Sequence, residues 1–299
     1  MGHRAFLQDE QPRDLHNLIS AKSSLMKGNH KASQDAISKS DLLRAKGQPD
    51  LDLVWKKIQD EAHQISKSER RLTALVEDIF ISRSSFACSV AARLSRKLAR
   101  EDMTRDELFP LLQEILEDHP ELVSSMVSDL IAINERDPAC HSLTQPLLYY
   151  KGFLALATYR LGHRMWKNNR HDLAYYFQSL ASEVFGVDIH PAAQLGCGIF
   201  LDHATSVVIG ETSIVEDNVS ILHEVTLGGT GKTSGNRHPL IRSGVMIGSG
   251  AKILGPVEIG KGAKIGAGSV VLDDVAPHKT VAGVPAIVVG TSPSENPAE

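Results

Sequence analysis

The sequence predicts an α + β chain: an N-terminal α-helical domain followed by a left-handed parallel β-helix of hexapeptide repeats with a protruding loop. Three observations predict it. Apolar residues recur every six positions at Ile247, Ile253, Ile259, Ile265 and Val271, and upstream at Ile189, Leu195, Leu201, Val207, Val219 and Val225, with Ser213 the one polar member. Glycine is rare before Val187 and frequent after Ile189. The segment GGTGKTSGNRHPLIRS (228–243) interrupts the period. Six is a multiple of the strand period of two and not of the helical 3.6. A short strand and a turn every six residues form one side of a coil, three sides close a triangular turn of about 18 residues, and the stretch holds about five coils.

The elements ahead of the repeat follow from local patterns. Residues 1–48 are polar and poorly periodic, and are expected to be a flexible extension. Leu51, Val54, Ile58, Ala62 and Ile65 form a helical stripe, repeated by Leu72, Leu75, Val76, Ile79 and Phe80. A further helix is expected around Ser85–Arg100. Thr104 with Glu107 is a capping box for the next, which ends near His119. Pro120 suits the first turn of a helix through Asn134. Beyond Asp137-Pro138, long helices are expected at about 144–168 and 170–185. The domain boundary falls near Val184–Val187. The expected organisation is thus 1–48 extension, 49–186 helical domain, 187–289 β-helix domain and 290–299 disordered tail.

Composition excludes several classes. The chain has 299 residues, is 42% hydrophobic and 23% charged, and its net charge of −4 offers no basic field for nucleic acid. Cys88, Cys140 and Cys197 are too few and scattered for a disulfide framework. The N-terminus lacks an apolar signal core. The most apolar long stretch, 146–162, carries Lys151 and Arg160 and is too interrupted to span a bilayer. A cytoplasmic protein with no membrane partner is expected.

Chemistry-bearing residues crowd around the interruption: Asp188, His190, Asp202, His203, His223, Arg237 and His238. A histidine beside a carboxylate suits a general base, the alternative being a structural interface pair. Arg237 offers a planar clamp for a carboxylate. GGTGK (228–232) lacks P-loop spacing, yet can bring backbone N–H groups close to a ligand. Histidines meeting at a threefold interface can bind zinc, but the spacing is irregular, and no metal is expected. Flat β-helix faces favour a threefold assembly with sites at subunit interfaces.

The motifs DIHPAAQLGCGIFLDHATSVVIGETS (188–213), NVSILHEVTLGGTGKTSGNRHP (218–239) and IGSGAKILG (247–255), with RDPAC (136–140) and PLLYYKGFLALATYRLGH (146–163), closely resemble the serine acetyltransferase family over roughly residues 50–290. The resemblance implies transfer of acetyl from acetyl-CoA, as co-substrate, to the hydroxyl of L-serine, the first step of cysteine biosynthesis. It implies that His203 is the general base, Asp188 its carboxylate partner, and His238 a neighbour of the substrate. Asp137 and Asp202 are implied as ligands of the serine ammonium, and Arg237 of its carboxylate. Gly229, Ser249, Lys264 and Ala267 are implied for CoA. A homotrimer or hexamer and feedback inhibition by L-cysteine are also implied. Asn236 and Ser206 depart from the family's usual Asp and Gly. The chain ends SPSENPAE where many members end in isoleucine, so weak or no complex with O-acetylserine sulfhydrylase is expected. The competing readings are a hexapeptide acetyltransferase for another hydroxyl, a non-catalytic partner of a sulfhydrylase, and a zinc carbonic anhydrase.

Overall fold

A computed structural model of the chain describes Leu42 and residues 49–231, 234–292, 294 and 296–298. The expected extension lies outside the described residues except for Leu42. Helix α1 (Leu51–Ser68) starts at Asp50, whose carboxylate accepts the Leu53 N–H at 3.3 Å, and buries Val54, Ile58 and Ala62. The second apolar stripe is not one helix. It passes through a 3₁₀ turn (Arg70–Leu72), α2 (Thr73–Val76) and a π-helical turn (Glu77–Ile81), which rotate Val76, Ile79 and Phe80 inward. Ser85 caps α3 (Phe86–Leu98). Glu107 accepts the Thr104 N–H at 2.8 Å and its hydroxyl at 2.7 Å at the start of α4 (Arg105–Asp118). Pro120 opens α5 (Pro120–Arg136).

The helix expected at 144–168 is two. Tyr150, in an extended conformation, separates α6 (Thr144–Tyr149) from α7 (Lys151–Lys167). Helix α8 (His171–Phe185) then ends on left-handed Gly186. The helices are tied to the repeat by a buried ion pair. Arg160 donates to both oxygens of Asp129 at 2.7 and 2.9 Å and to the Gly196 carbonyl at 2.7 Å, while Asp129 also accepts the Ile199 N–H at 2.9 Å.

The repeat forms three parallel faces. The first stacks β1 (Val187–Ile189), β4 (Val207–Ile209), β7 (Thr226–Gly228), β10 (Lys252–Leu254) and β13 (Val270–Val271). The second stacks β2 (Gln194–Leu195), β5 (Ile214–Val215), β8 (Leu240–Ile241) and β11 (Glu258–Ile259). The third stacks β3 (Phe200–Leu201), β6 (Ser220–Ile221), β9 (Met246–Ile247), β12 (Lys264–Ile265) and β14 (Lys279–Gly283), and β15 (Ala286–Thr291) adds antiparallel.

The pairing corrects the expected repeat in one respect. Ile189, Ile209, Leu227, Ile253 and Val271 stack in register, so the strand centres after Leu201 are Ile209, Val215, Ile221 and Leu227. Val207, Ser213, Val219 and Val225 are buried as well, but in a second inward column two residues earlier. The count slips because the first coil takes 20 residues, Ile189 to Ile209, where Ile209 to Leu227 takes 18. The added residues lie in the corner 202–206. The protruding loop is also shorter than 228–243: Gly228 completes β7, and Leu240–Ile241 rejoin the coil as β8, leaving 229–239 outside. At the other end β15 carries ordered chain to Thr291. Ser220 Oγ donates to the Ala298 carbonyl at 2.7 Å, and Ala298 is buried. Of the described tail residues, Ser292, Pro297 and Ala298 are buried, while Thr291, Ser294 and Asn296 are exposed.

Candidate active site

Two edges of the prism flank the first face. Edge A, joining the third face to the first, stacks the corners 202–206, 222–225, 248–251 and 266–269. Edge B, joining the first face to the second, stacks 190–193, 210–213, the loop 229–239 and 255–257.

Edge A opens with an unusual corner. His203 (φ 55°), Ala204 (φ 58°) and Ser206 (φ 60°) are all left-handed, a conformation uncommon outside glycine. The corners stacked below show one left-handed residue each, at Glu224, Gly250 and Gly268. Local bonds hold the strained turn: Thr205 N–H to the His203 carbonyl at 2.8 Å, Ser206 N–H to Gly186 at 2.7 Å, and Glu224 N–H to the Thr205 carbonyl at 2.7 Å. The turn lifts the His203 side chain clear of the prism, 75% exposed, with Nε2 3.8 Å from Asp202 Oδ1. The His223 ring, at the next corner, lies edge-on with centroids 5.7 Å apart, and its buried Nδ1 has no hydrogen-bond partner among the described residues.

A cavity of about 580 Å³ lies in front of His203, lined by Asp137, Tyr150, Lys151 and Asp202 among others. The Asp137 carboxylate, at the end of α5, accepts the Ala139 N–H at 2.8 Å. Burial, with Cys140 and Asp137 beside it, pushes the Tyr150 phenol up to about 12, so it stands neutral at the cavity. Asp137, Asp202 and His203, predicted from distant stretches, thus meet at one cavity.

Edge B gathers the other predicted residues. The Thr212 hydroxyl accepts the backbone N–H groups of Arg237 (3.0 Å) and His238 (3.2 Å) and donates to His238 Nδ1 (2.9 Å), which also accepts the Thr212 N–H (3.2 Å). With Nδ1 accepting, neutral His238 carries its proton on Nε2. Burial, then the neighbouring Arg237, lowers its pKa and favours that neutral donor. The ring lies flat on Gly210, where an added Cβ would sit 2.1 Å from it. Arg237 donates to Glu211 at 2.5 Å, and this bond holds the Glu211 carboxyl below its ordinary range. His190, packed edge-on against Trp166 and Tyr175, is likewise lowered by burial.

Asp188 is not hydrogen-bonded to His203 within the chain. It sits on β1, where Gln178 donates to it at 2.6 Å. Of the residues expected for CoA, Ser249 and Ala267 continue edge A below His203 and His223. Gly248 packs so closely on this turn that an added Cβ would meet the Ala267 nitrogen at 2.7 Å. Gly229 lies on edge B, against Arg237 and His238, and Lys264 is on the third face in β12. Glu211, Thr212, Tyr150 and Lys151 were not singled out by the sequence as site residues. Among the described residues no group of three His, Cys, Asp or Glu side chains is arranged to hold a metal ion, and no helix is long and apolar enough to cross a membrane.

Comparison with known proteins bears on both domains. The family model described as "Serine acetyltransferase, N-terminal" matches residues 54–158, and "Bacterial transferase hexapeptide (six repeats)" matches 238–273. The serine acetyltransferase of Salmonella typhimurium is 49% identical over 249 residues, 83% of this chain and 91% of that protein. The Brucella abortus serine acetyltransferase solved with coenzyme A superposes with a TM-score of 0.79 at 48% identity, over 81% of this chain and 97% of that one. The Neisseria gonorrhoeae enzyme solved with serine gives 0.77 at 47%, over 78% and 96%. A serine acetyltransferase in complex with cysteine gives 0.80 at 46%, over 82% and 95%. With nearly half its residues shared along most of its length, and both the helical and the hexapeptide domain accounted for, this chain belongs to the serine acetyltransferase family.

Proposed function

We propose that the serine O-acetyltransferase reaction of this chain, with acetyl-CoA as co-substrate, runs by direct attack in a site shared between neighbouring subunits. The carrying observation is the cavity that sets Asp137 and Asp202 beside the exposed imidazole of His203. Serine fits there with its ammonium between the two carboxylates. A serine hydroxyl is a poor nucleophile at neutral pH, and a positioned base is worth roughly 10²–10⁴ in rate. His203 takes the hydroxyl proton as the oxygen bonds the thioester carbon. The C–S bond then breaks, and the imidazolium returns the proton to the departing CoA thiolate.

Arg237, His238 and Asp188 complete the site from a neighbouring subunit. In one chain they belong to edge B and the first face, while His203 stands on edge A. A threefold arrangement that sets edge A of one subunit against edge B of the next supplies the carboxylate clamp and the partner for His203. The neutral Nε2–H of His238 then donates to the bound substrates. The pantetheine arm follows the same groove past Gly229, Ser249 and Ala267, whose small side chains admit it, and Lys264 meets a phosphate. Cysteine shares the ammonium and carboxylate of serine, so it competes for the same cavity.

A thiol-release assay with acetyl-CoA and L-serine on wild type and His203→Ala tests the assignment. Loss of turnover in the variant is expected, and equal activity in both refutes it. A trapped acetyl-enzyme refutes direct attack.

A further inference from the structure

We infer that Lys151 is a positioning residue for His203, acting through Thr205; this rests on His203 being the general base. The His203 side chain is largely free of packing, so the backbone of the corner 202–206 decides where the imidazole stands. That corner is strained at three residues, and strained turns persist only where their surroundings over-determine them. Part of the support comes from the repeat itself, through the Gly186 and Glu224 bonds. The rest comes from the helical domain. Lys151 Nζ donates to Thr205 Oγ1, two residues beyond His203. Gly152 abuts the other side of the corner so closely that an added Cβ would lie 2.1 Å from the Leu201 carbonyl oxygen.

The element that delivers Lys151 is itself fixed at both ends. Glu61 accepts the Leu143 and Thr144 N–H groups, at 3.2 and 2.9 Å, where α6 begins. Buried Arg93 donates to the Leu147 carbonyl at 2.9 Å and to that of Leu148 where it ends. The break at Tyr150 then sends Lys151 toward the corner from a rigid base. Lys151 also lines the substrate cavity, so direct contact with substrate is the competing role. The two roles differ in their dependence on Thr205.

The test measures kcat and KM for each substrate in wild type, Lys151→Met, Thr205→Val, the double variant, Lys151→Arg and His203→Ala. Positioning predicts that Lys151→Met and Thr205→Val each lower kcat by about 10–100-fold with the KM for acetyl-CoA unchanged. The double variant is then no worse than the poorer single, since both remove one contact, and Lys151→Arg recovers part of the loss. Wild-type kcat in Lys151→Met, a silent Thr205→Val, or losses that multiply in the double variant each overturn the inference. Activity retained in His203→Ala instead removes the base assignment on which it rests. Thr205 is exposed and Lys151 half-buried, and unchanged melting temperatures are expected; a large drop in melting temperature for either variant would make the contact a folding element and also overturn it.

Discussion

Gly210→Ala separates the chemistry of edge B from its stability. Gly210 lies outside the left-handed region, so alanine suits its backbone. The new Cβ would lie 2.1 Å from His238 Cδ2 and Nε2. Carbon atoms rest at about 3.5 Å or more, so the ring must retreat by about 1.4 Å. Its movement breaks the two bonds that His238 Nδ1 accepts from Thr212, at 2.9 and 3.2 Å. The obstacle is a side chain at the rim of the prism, so the ring can yield at small cost in folding energy. The chemistry does not tolerate the shift: displacement of a site group by about 1 Å costs on the order of 10²-fold, close to 2.7 kcal/mol of barrier. Thiol release should therefore show kcat/KM for serine down about 100-fold with the melting temperature nearly unchanged. Gly260→Ala is the contrasting control, since its Cβ would meet the backbone nitrogen of Pro277 at 2.4 Å, away from edges A and B, and should lose stability. Combined with His238→Ala, Gly210→Ala should add nothing further. Wild-type kcat/KM in Gly210→Ala, or losses that multiply in the double variant, would refute the placement of His238 in the site.

Asp129→Ala leaves Arg160 buried without its counter-charge and should destabilise the chain by about 3–5 kcal/mol; a shift in urea midpoint equivalent to less than about 1 kcal/mol would show that the pair does not join helices to prism. His163, His190 and His238 are each lowered from 6.5, burial being the largest cause. As pH falls below that value the unfolded chain binds protons that the folded chain refuses, so stability is retained above about pH 7 and lost on acidification. Melting temperature followed from pH 8 to 5 should fall on the acid side, and less steeply in His163→Phe; a flat profile contradicts it. Co-assembly of His203→Ala with His238→Ala chains should restore about a quarter of wild-type activity, because three-quarters of random trimers are mixed and each mixed trimer has one intact site of three. Persistent inactivity would place both residues in a site made by one chain.

The period of six was legible because the inward positions of every face are aliphatic, and burial of Ile189, Ile247 and Ile259 follows directly from it. The strand register after Leu201 was not legible, because two inward columns run side by side. Val207 and Ile209, or Val219 and Ile221, satisfy the same six-residue spacing and are all buried. Glu211, Thr212, Tyr150 and Lys151 had no local signal. Thr212 meets His238 only because a coil and the loop separate them by 26 residues in sequence and stack them in space. Lys151 reaches Thr205 only because the predicted long helix breaks at Tyr150.

The places where the repeat fails are also where the residues proposed for the chemistry stand. At edge A the corner that departs from the 18-residue spacing has three left-handed residues, against one in each corner stacked below. Two added residues at edge A make the corner that lifts His203 out of the prism. The longer step from Leu227 to Ile253, 26 residues against 18, releases the loop that carries Arg237 and His238 back onto Thr212. Local departures from an otherwise consistent pattern are expected where function is bought with strain. In this chain the departures are countable in the sequence once the register is known: the coil lengths 20, 18, 26 and 18 mark two corners, one on each edge, and those corners hold His203, His238 and Arg237, the residues proposed for the reaction.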